Sequence, residues 1–176
     1  DKIDAGFDCI KLKIGALDFA DECQLLTEIR ERYSAKEVTL RVDANGAFSA
    51  DEALDKLMTL STFDLHSIEQ PIAAGQPDAL AELCVKTPLP IALDEELIGV
   101  LHQYDQRRLL EKIKPQYIIL KPSLLGGFAA SAAWIRLAEE RNIQWWVTSA
   151  LESNIGLNAI SQWTASLQTT TPQGLG

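Results

Sequence analysis

Short apolar runs alternate with longer amphipathic stretches along the whole chain. This alternation is typical of strand–helix units arranged around a parallel sheet. The pattern predicts six strands, near residues 8–14, 38–42, 66–69, 91–93, 117–120 and 145–148. It predicts helices between and after them, near residues 18–33, 50–61, 77–86, 102–111, 125–141 and 155–167. We therefore expect an α/β fold with about six βα units in a single domain, residues 1–176.

Six units are fewer than a closed barrel needs. A complete TIM-type barrel has eight strands and takes about 250 residues. This chain has 176 residues, begins at Asp1 instead of an initiator Met, and stops soon after a turn-like Thr-Pro-Gln-Gly run. These features predict an incomplete barrel that is a fragment of a longer protein, with the closing strands outside this chain.

Three isolated acids each end a short apolar run just before a loop. They are Asp43, Glu69 and Asp94, which recur at nearly equal intervals, and Lys121 follows after a similar interval. In a barrel of parallel strands, each unit delivers the residue after its strand to the same C-terminal end. The spacing therefore predicts that these four side chains meet at one mouth of the barrel.

Strand parity places further charged residues on the same face. Because successive side chains alternate across a strand, Lys11 and Lys13 point to the side opposite their aliphatic neighbours. In the second strand, Arg41 shares the side of Asp43. If the aliphatic face packs on the helices, the charged face looks into the barrel, where a buried charge needs a partner or a metal ion.

Three carboxylates from neighbouring strands suit Mg²⁺, which prefers hard oxygen ligands. A divalent cation at this position could bind a substrate carboxylate and stabilise the enediolate that forms when a proton leaves the adjacent carbon. A lysine near a cation and other amines can exchange protons near neutral pH. Lys13 and Lys121, from strands on opposite sides, could reach opposite faces of a substrate.

Composition narrows the classes of partner. The net charge of -9 and the scattered basic residues argue against a nucleic-acid surface. No apolar run has the length of a membrane span, and no basic segment followed by an apolar one begins the chain. We therefore expect a cytoplasmic protein that acts on a small molecule, with no membrane partner. The sequence predicts no oligomeric state.

Five ordered motifs carry a resemblance to a known family. They are Lys11-Leu12-Lys13, Asp43-Ala44-Asn45, Glu69-Gln70-Pro71, Asp94-Glu95 and Lys121-Pro122. In this order and at barrel spacing they resemble the barrel domain of the enolase superfamily, in its muconate lactonizing branch. The resemblance implies a (β/α)7β barrel, together with an N-terminal α+β capping domain and a first barrel strand that lie outside this chain.

The resemblance also implies roles for these residues. The Mg²⁺ ligands would be Asp43, Glu69 and Asp94, and Mn²⁺ would be a substitute ion. Lys13 and Lys121 would be the acid/base lysines, with Lys11 assisting Lys13 electrostatically. Glu95 would be either a supporting group or an alternative ligand beside Asp94, and the sequence does not separate these two roles.

A further segment narrows the resemblance. Residues 149–156, Ser-Ala-Leu-Glu-Ser-Asn-Ile-Gly, are similar to the o-succinylbenzoate synthase family of menaquinone biosynthesis, and so is Arg41. This likeness implies syn dehydration of 2-succinyl-6-hydroxy-2,4-cyclohexadiene-1-carboxylate (SHCHC) to o-succinylbenzoate. Lys13 would abstract the proton and Lys121 would be a stabilising cation. The candidate substrate contacts are Arg41, Asn45, Ser149, Ser153 and Gly156.

Two other functions stay open. Racemisation of N-succinylamino acids or epimerisation of dipeptides would use the same site, with Lys13 and Lys121 as opposed bases. A barrel kept as a non-catalytic binding or structural module is an alternative of another class. Each charged residue alone has a structural explanation, such as Asp43 opening a turn. Their joint spacing, order and parity favour an enzyme.

Overall fold

Six parallel strands form the sheet of this protein in a computed structural model that describes residues 2–175. The strands are β1 (Cys9–Lys13), β2 (Thr39–Asp43), β3 (Ser67–Glu69), β4 (Ile91–Leu93), β5 (Tyr117–Leu120) and β6 (Gln144–Val147). Each strand pairs with the next one along the chain, and every pair is parallel. This is the order of βα units in an incomplete barrel. The predicted fold class is confirmed, while Asp1 and Gly176, the ends of the predicted domain, lie outside the described residues.

Helices follow the strands. They are α1 (Phe19–Arg32), α2 (Ala50–Leu60), α3 (Pro77–Lys86), α4 (Gln103–Ile113), α5 (Pro122–Leu125), α6 (Phe128–Glu139) and α7 (Asn154–Ser166). The prediction of a single helix near 125–141 is wrong at its start, since α6 begins at Phe128. A short α5 ends there because Gly126 and Gly127 have φ values of 94° and 93°, in the left-handed region, and α6 begins only afterwards.

The sheet continues by one step beyond β6. The backbone N–H of Gly174 donates to the Val147 carbonyl at 2.9 Å, and the Gly174 carbonyl accepts from the Ser149 N–H at 3.3 Å. Thr148 and Gly174 form a parallel bridge. A seventh parallel segment therefore begins on the open side of β6.

Two apolar clusters lie on opposite faces of the sheet. The larger one joins outward strand residues such as Val42 and Ile68 to helix residues such as Leu57 and Trp134, all fully buried. The smaller one is the inner cluster, which consists of Ala92, Ile119 and Trp146 with Tyr117 packed against them. By strand parity the inner cluster lies on the same face as Asp94 and Lys121, the residues that directly follow β4 and β5. The barrel interior thus has an apolar layer below the polar end of the strands.

In residues 2–175, none of the helices has the length and apolar character needed to cross a membrane.

Truncation of the outer core should be costly. Leu57 on α2 has no exposed surface, whereas its neighbour Met58 is 50% exposed. We expect Leu57→Ala to lower the free energy of unfolding by about 3 kcal/mol, because it removes buried methyl groups and leaves a cavity. Met58→Ala, the matched control, should change it by less than about 0.5 kcal/mol. Urea unfolding followed by circular dichroism measures both, and equal effects would contradict this packing.

Candidate active site

The C-terminal ends of β1, β2 and β3 lie in register. Lys13 pairs with Asp43, and Asp43 pairs with Glu69. Asp43 has no exposed surface and Glu69 is only 2% exposed. Two carboxylates buried side by side repel one another and lose their hydration, so they require positive partners.

Two lysines of β1 supply that positive charge. Lys11 Nζ lies 3.0 Å from Asp43 Oδ2 and 2.9 Å from Glu69 Oε2, so it bridges the two acids. Lys13 Nζ lies 2.6 Å from the same Asp43 oxygen and donates to Asn45 Oδ1 at 2.5 Å. The Lys13 side chain is 63% exposed. One lysine is therefore fixed between the acids, while the other remains accessible at the barrel mouth.

A second ion pair lies at the ends of β4 and β5. The Lys121 ammonium group donates to Asp94 Oδ2, and the Asp94 side chain is only 2% exposed. We call Asp43, Glu69 and Asp94 the acidic row. Since β1 and β5 flank the strands of the acidic row, Lys13 and Lys121 lie on its two sides.

The lysines shift the protonation equilibria around Asp43. Burial acts to raise the pKa of Asp43, but the hydrogen bond from Lys13 and the charge of Lys11 outweigh burial and lower the pKa. Burial acts to lower the pKa of Lys11, but the charges of Glu69 and Asp43 outweigh it and raise the pKa. Lys11 is therefore held in its charged form, which suits a fixed cation better than a base.

Glu69 differs from Asp43 in its charge balance. Burial raises the pKa of Glu69 to about 8, and the charges of Asp43 and Asp94 add to this effect against that of Lys11. Its Oε1 atom is buried and has no hydrogen-bond partner. The middle of the acidic row is thus short of positive charge.

The acidic row has the donor chemistry of a divalent cation site. Across residues 2–175, no three acidic, histidine or cysteine side chains are gathered closely enough to hold a metal ion in this arrangement, and lysine amines contact the carboxylates instead. The acidic row nevertheless offers only hard oxygen ligands, and the unpartnered Glu69 Oε1 is free to accept a cation. These residues fit Mg²⁺ or Mn²⁺ by donor type.

Asn45 and Glu95 lie beside this network. Asn45 Nδ2 donates to Glu95 Oε1 at 2.9 Å, and the Asn45 backbone N–H donates to Asp43 Oδ1 at 3.0 Å. Because Asn45 also accepts from Lys13, it joins the lysine to the loop after β4. The structure thus brings both residues to the site that the sequence predicts.

Arg41 lies two residues before Asp43 on β2, deeper in the barrel. It is 5% exposed, its guanidinium group stacks 4.0 Å from the centre of the Trp146 ring, and Nη1 donates to the Pro172 carbonyl at 3.0 Å. Together with Lys11 and Ser149 it lines a cavity of about 330 Å³. Its Nε is buried without a partner.

The other predicted substrate contacts are Ser149 and Ser153, in the loop between β6 and α7, and Gly156, in the first turn of α7. Ser153 Oγ accepts from the Gly156 N–H at 3.3 Å and caps α7, while the Ser149 N–H donates to the Gly174 carbonyl. Within the described chain, none of these three predicted residues is hydrogen-bonded to the acidic row. Sequence reasoning missed Glu152 of this loop, whose Oε1 accepts from Ser123 Oγ at 2.5 Å. That bond ties the loop to α5, directly after Lys121.

Sequence reasoning also missed two residues inside the barrel. Gln70 is fully buried and accepts the Asp94 N–H through its side-chain oxygen at 3.2 Å. The available signal was its position between the acid and the proline of the Glu69-Gln70-Pro71 motif. The His66 ring contacts the Tyr117 ring with ring centres 4.8 Å apart and the two planes inclined by 40°. Nothing in the local sequence marks His66, because its partners come from distant strands.

Comparison with known proteins identifies the family. Residues 1–175 match the family model described as enolase C-terminal domain-like. The chain belongs to the enolase superfamily. The predicted resemblance is therefore confirmed.

Individual relatives of this enolase-superfamily chain differ in activity. It is 59% identical to the o-succinylbenzoate synthase of Desulfotalea psychrophila over 99% of this chain and 47% of that protein. The crystal structure of MenC from D. psychrophila matches it with a TM-score of 0.95 and 58% identity, over 99% of this chain and 48% of that one. The N-succinylamino acid racemase of Thermus thermophilus is 33% identical, over 88% of this chain and 39% of the racemase. The chain spans less than half the length of each.

His66 should titrate well below its ordinary range. Burial, and then the charge of Arg41, lower the pKa of His66 from 6.5 to about 4. The unfolded chain therefore binds a proton on His66 at a higher pH than the folded chain does, so the stability that neutral His66 contributes is lost as pH falls from 6.5 towards 4. We expect the His66 ring resonances, assigned by their absence in His66→Gln, to titrate with a midpoint near pH 4. We also expect His66→Gln to lose less stability than the wild type over this pH range. A midpoint near 6.5 would contradict the buried environment.

Proposed function

We propose that this chain carries the active-site residues of a Mg²⁺-dependent o-succinylbenzoate synthase, which converts SHCHC into o-succinylbenzoate in menaquinone biosynthesis. One observation carries the proposal. The acidic row is flanked by Lys13 and Lys121 at the barrel mouth, in a chain 59% identical to a protein named o-succinylbenzoate synthase.

The acidic row supports the choice of reaction. Removing a proton from the carbon next to a carboxylate leaves a second negative charge on that carboxylate, so the site must concentrate positive charge there. Asp43, Glu69 and Asp94 would hold Mg²⁺, which when bound supplies this charge to the substrate carboxylate. Lys11, charged and fixed between Asp43 and Glu69, adds to the positive potential.

Lys13 is the proposed base. In its neutral form, the accessible amine at the end of β1 takes the proton from the carbon next to the ring carboxylate and becomes an ammonium group. The electron pair of that C–H bond moves first onto the ring carboxylate, and it then forms the new ring double bond as the C–O bond to the hydroxyl breaks. Lys13 then returns its proton to the departing oxygen, which leaves as water. One residue that acts on one face of the ring accounts for syn elimination.

Other residues would bind the substrate. Lys121, paired with Asp94 on the opposite side, would be a stabilising cation facing the ring. Asn45 would orient the Lys13 amine, which it already contacts. Arg41 and Ser149 line one cavity, which supports a shared role in binding the succinyl carboxylate. Ser153 and Gly156, at the start of α7, would lie beside the succinyl chain of the substrate. Glu95 would support the site through its hydrogen bond with Asn45.

A second candidate is racemisation of N-succinylamino acids. Two observations favour it, the 33% identity to the T. thermophilus racemase and the positions of Lys13 and Lys121 on either side of the acidic row. In this reaction one lysine would remove the proton from the substrate and the other would deliver a proton to the opposite face.

An activity assay tests the proposed reaction. We expect the protein, expressed at full length, to convert SHCHC into o-succinylbenzoate with Mg²⁺ and to lose this activity in EDTA, as followed by ultraviolet absorbance. If SHCHC is not converted and an N-succinylamino acid takes up deuterium from D₂O, racemisation would replace dehydration as the proposed function. Absence of both reactions would indicate a non-catalytic module.

Substitution of Lys13 tests its role as base. Lys13→Ala should lower the dehydration rate by about 10²- to 10⁴-fold, because the proton acceptor is lost, while Mg²⁺ binding persists. Lys36, an exposed lysine before β2, provides the matched control, and Lys36→Ala should leave the rate unchanged. Loss of Mg²⁺ binding in Lys13→Ala, measured by calorimetry, would show that Lys13 has a different role.

A further inference from the structure

Gln70 has an unusual backbone conformation at the centre of the site. It follows Glu69 directly, is fully buried, and has a φ of 37°. A residue other than glycine adopts this left-handed conformation only when surrounding contacts stabilise it. Such strained conformations cluster at functional sites, so the contacts that hold Gln70 are informative.

The side chain of Gln70 holds the loop that begins at Asp94. Its Oε1 accepts from the backbone N–H of Asp94 at 3.2 Å and from that of Glu96 at 3.3 Å. Its Nε2 donates to the carbonyl of Ile72 at 3.0 Å. One amide group therefore links the loop after β3 to the loop after β4.

The backbone of Gln70 reaches the loop after β2. Its carbonyl accepts from the Gly46 N–H at 2.7 Å, and its N–H donates to the Ala92 carbonyl of β4 at 2.9 Å. Gly46 has a φ of 74°, and a Cβ there would lie 2.9 Å from Ala73 Cα. Only glycine allows this close approach. Gln70 thus contacts all three loops that follow members of the acidic row.

We propose that Gln70 is a positioning residue that fixes the relative placement of Asp43, Glu69 and Asp94 for a divalent cation. Mg²⁺ requires near-octahedral geometry at short ligand distances, so its affinity depends on how precisely the ligands are held. Asp94 is the member most dependent on Gln70, because it lies beyond the last residue of β4 and its N–H bonds the Gln70 side chain. This inference rests on the proposed function, which supplies the cation.

Gln70→Met tests the inference, since methionine has a similar length but accepts no comparable hydrogen bonds. Residues that support metal ligands typically contribute about 10- to 100-fold to metal affinity. We expect Gln70→Met to bind Mn²⁺ and Mg²⁺ at least about tenfold more weakly than the wild type. Electron paramagnetic resonance of Mn²⁺ and calorimetry measure this on the folded protein, without any substrate.

Gln106→Met is the matched control. Gln106 lies on α4, is only 2% exposed, and donates from its Nε2 to the Val100 carbonyl at 3.0 Å. Within residues 2–175 it forms no hydrogen bond to Asp94 or Glu96. This variant loses stability for the same physical reason as Gln70→Met, and we expect it to bind the cation like the wild type. If both variants bind the cation more weakly by the same factor, Gln70 only stabilises the fold in general, and the inference is overturned.

The remaining outcomes separate the two proposals. If the wild type binds neither ion, the proposed function fails, whereas if the wild type and Gln70→Met bind equally, only the positioning role fails. If Gln70→Met does not fold, Gln70→Glu decides, because it keeps an oxygen to accept from Asp94 and Glu96. A folded Gln70→Glu that retains cation affinity supports the inference. Loss of affinity in that variant, or rapid hydrogen exchange of the Asp94 and Glu96 amides in the wild type, overturns it.

Discussion

The ammonium group of Lys11, held between Asp43 and Glu69, is the interaction on which the interior of this sheet depends. Without it two nearly fully buried carboxylates would lie next to each other in neighbouring strands. The bridge requires Lys11 to face inward, which in turn fixes the parity of β1 and directs Ile10 and Leu12 towards the helices. A one-residue slip of β1 would place an aliphatic side chain against the acids and expose both lysines to the helix layer.

The lysines do not fully compensate the negative charge at Glu69. Lys11, Lys13 and Lys121 contact the acidic row, yet Glu69 keeps an unpartnered oxygen and a pKa of about 8. The inner cluster below the row excludes water from that side and strengthens the repulsion between the acids. A divalent cation would supply this missing positive charge, and its binding would then offset the energetic cost of burying Glu69.

The parts predicted from the sequence are those set by local periodicity. Alternation along β1 and β2 and the regular spacing of Asp43, Glu69 and Asp94 are properties of short segments, so strand order and inward direction followed from them. The predicted start of the helix near 125 is three residues too early, because Gly126 and Gly127 adopt the left-handed conformation and α6 begins only at Phe128. The bond from Arg41 to Pro172 joins residues 131 positions apart, and no local pattern encodes such a contact. The Gln70 contacts were invisible for the same reason.

Every strand in the sheet pairs with its neighbour in the chain. The acidic row and its lysines are therefore brought together by adjacent βα units, and each pairing among β1 to β5 closes over a single helical crossover. β2 and β3 can bring Asp43 and Glu69 together only at an electrostatic cost that the docking of β1 relieves, so the ion pairs also couple the folding of the three units into one cooperative step.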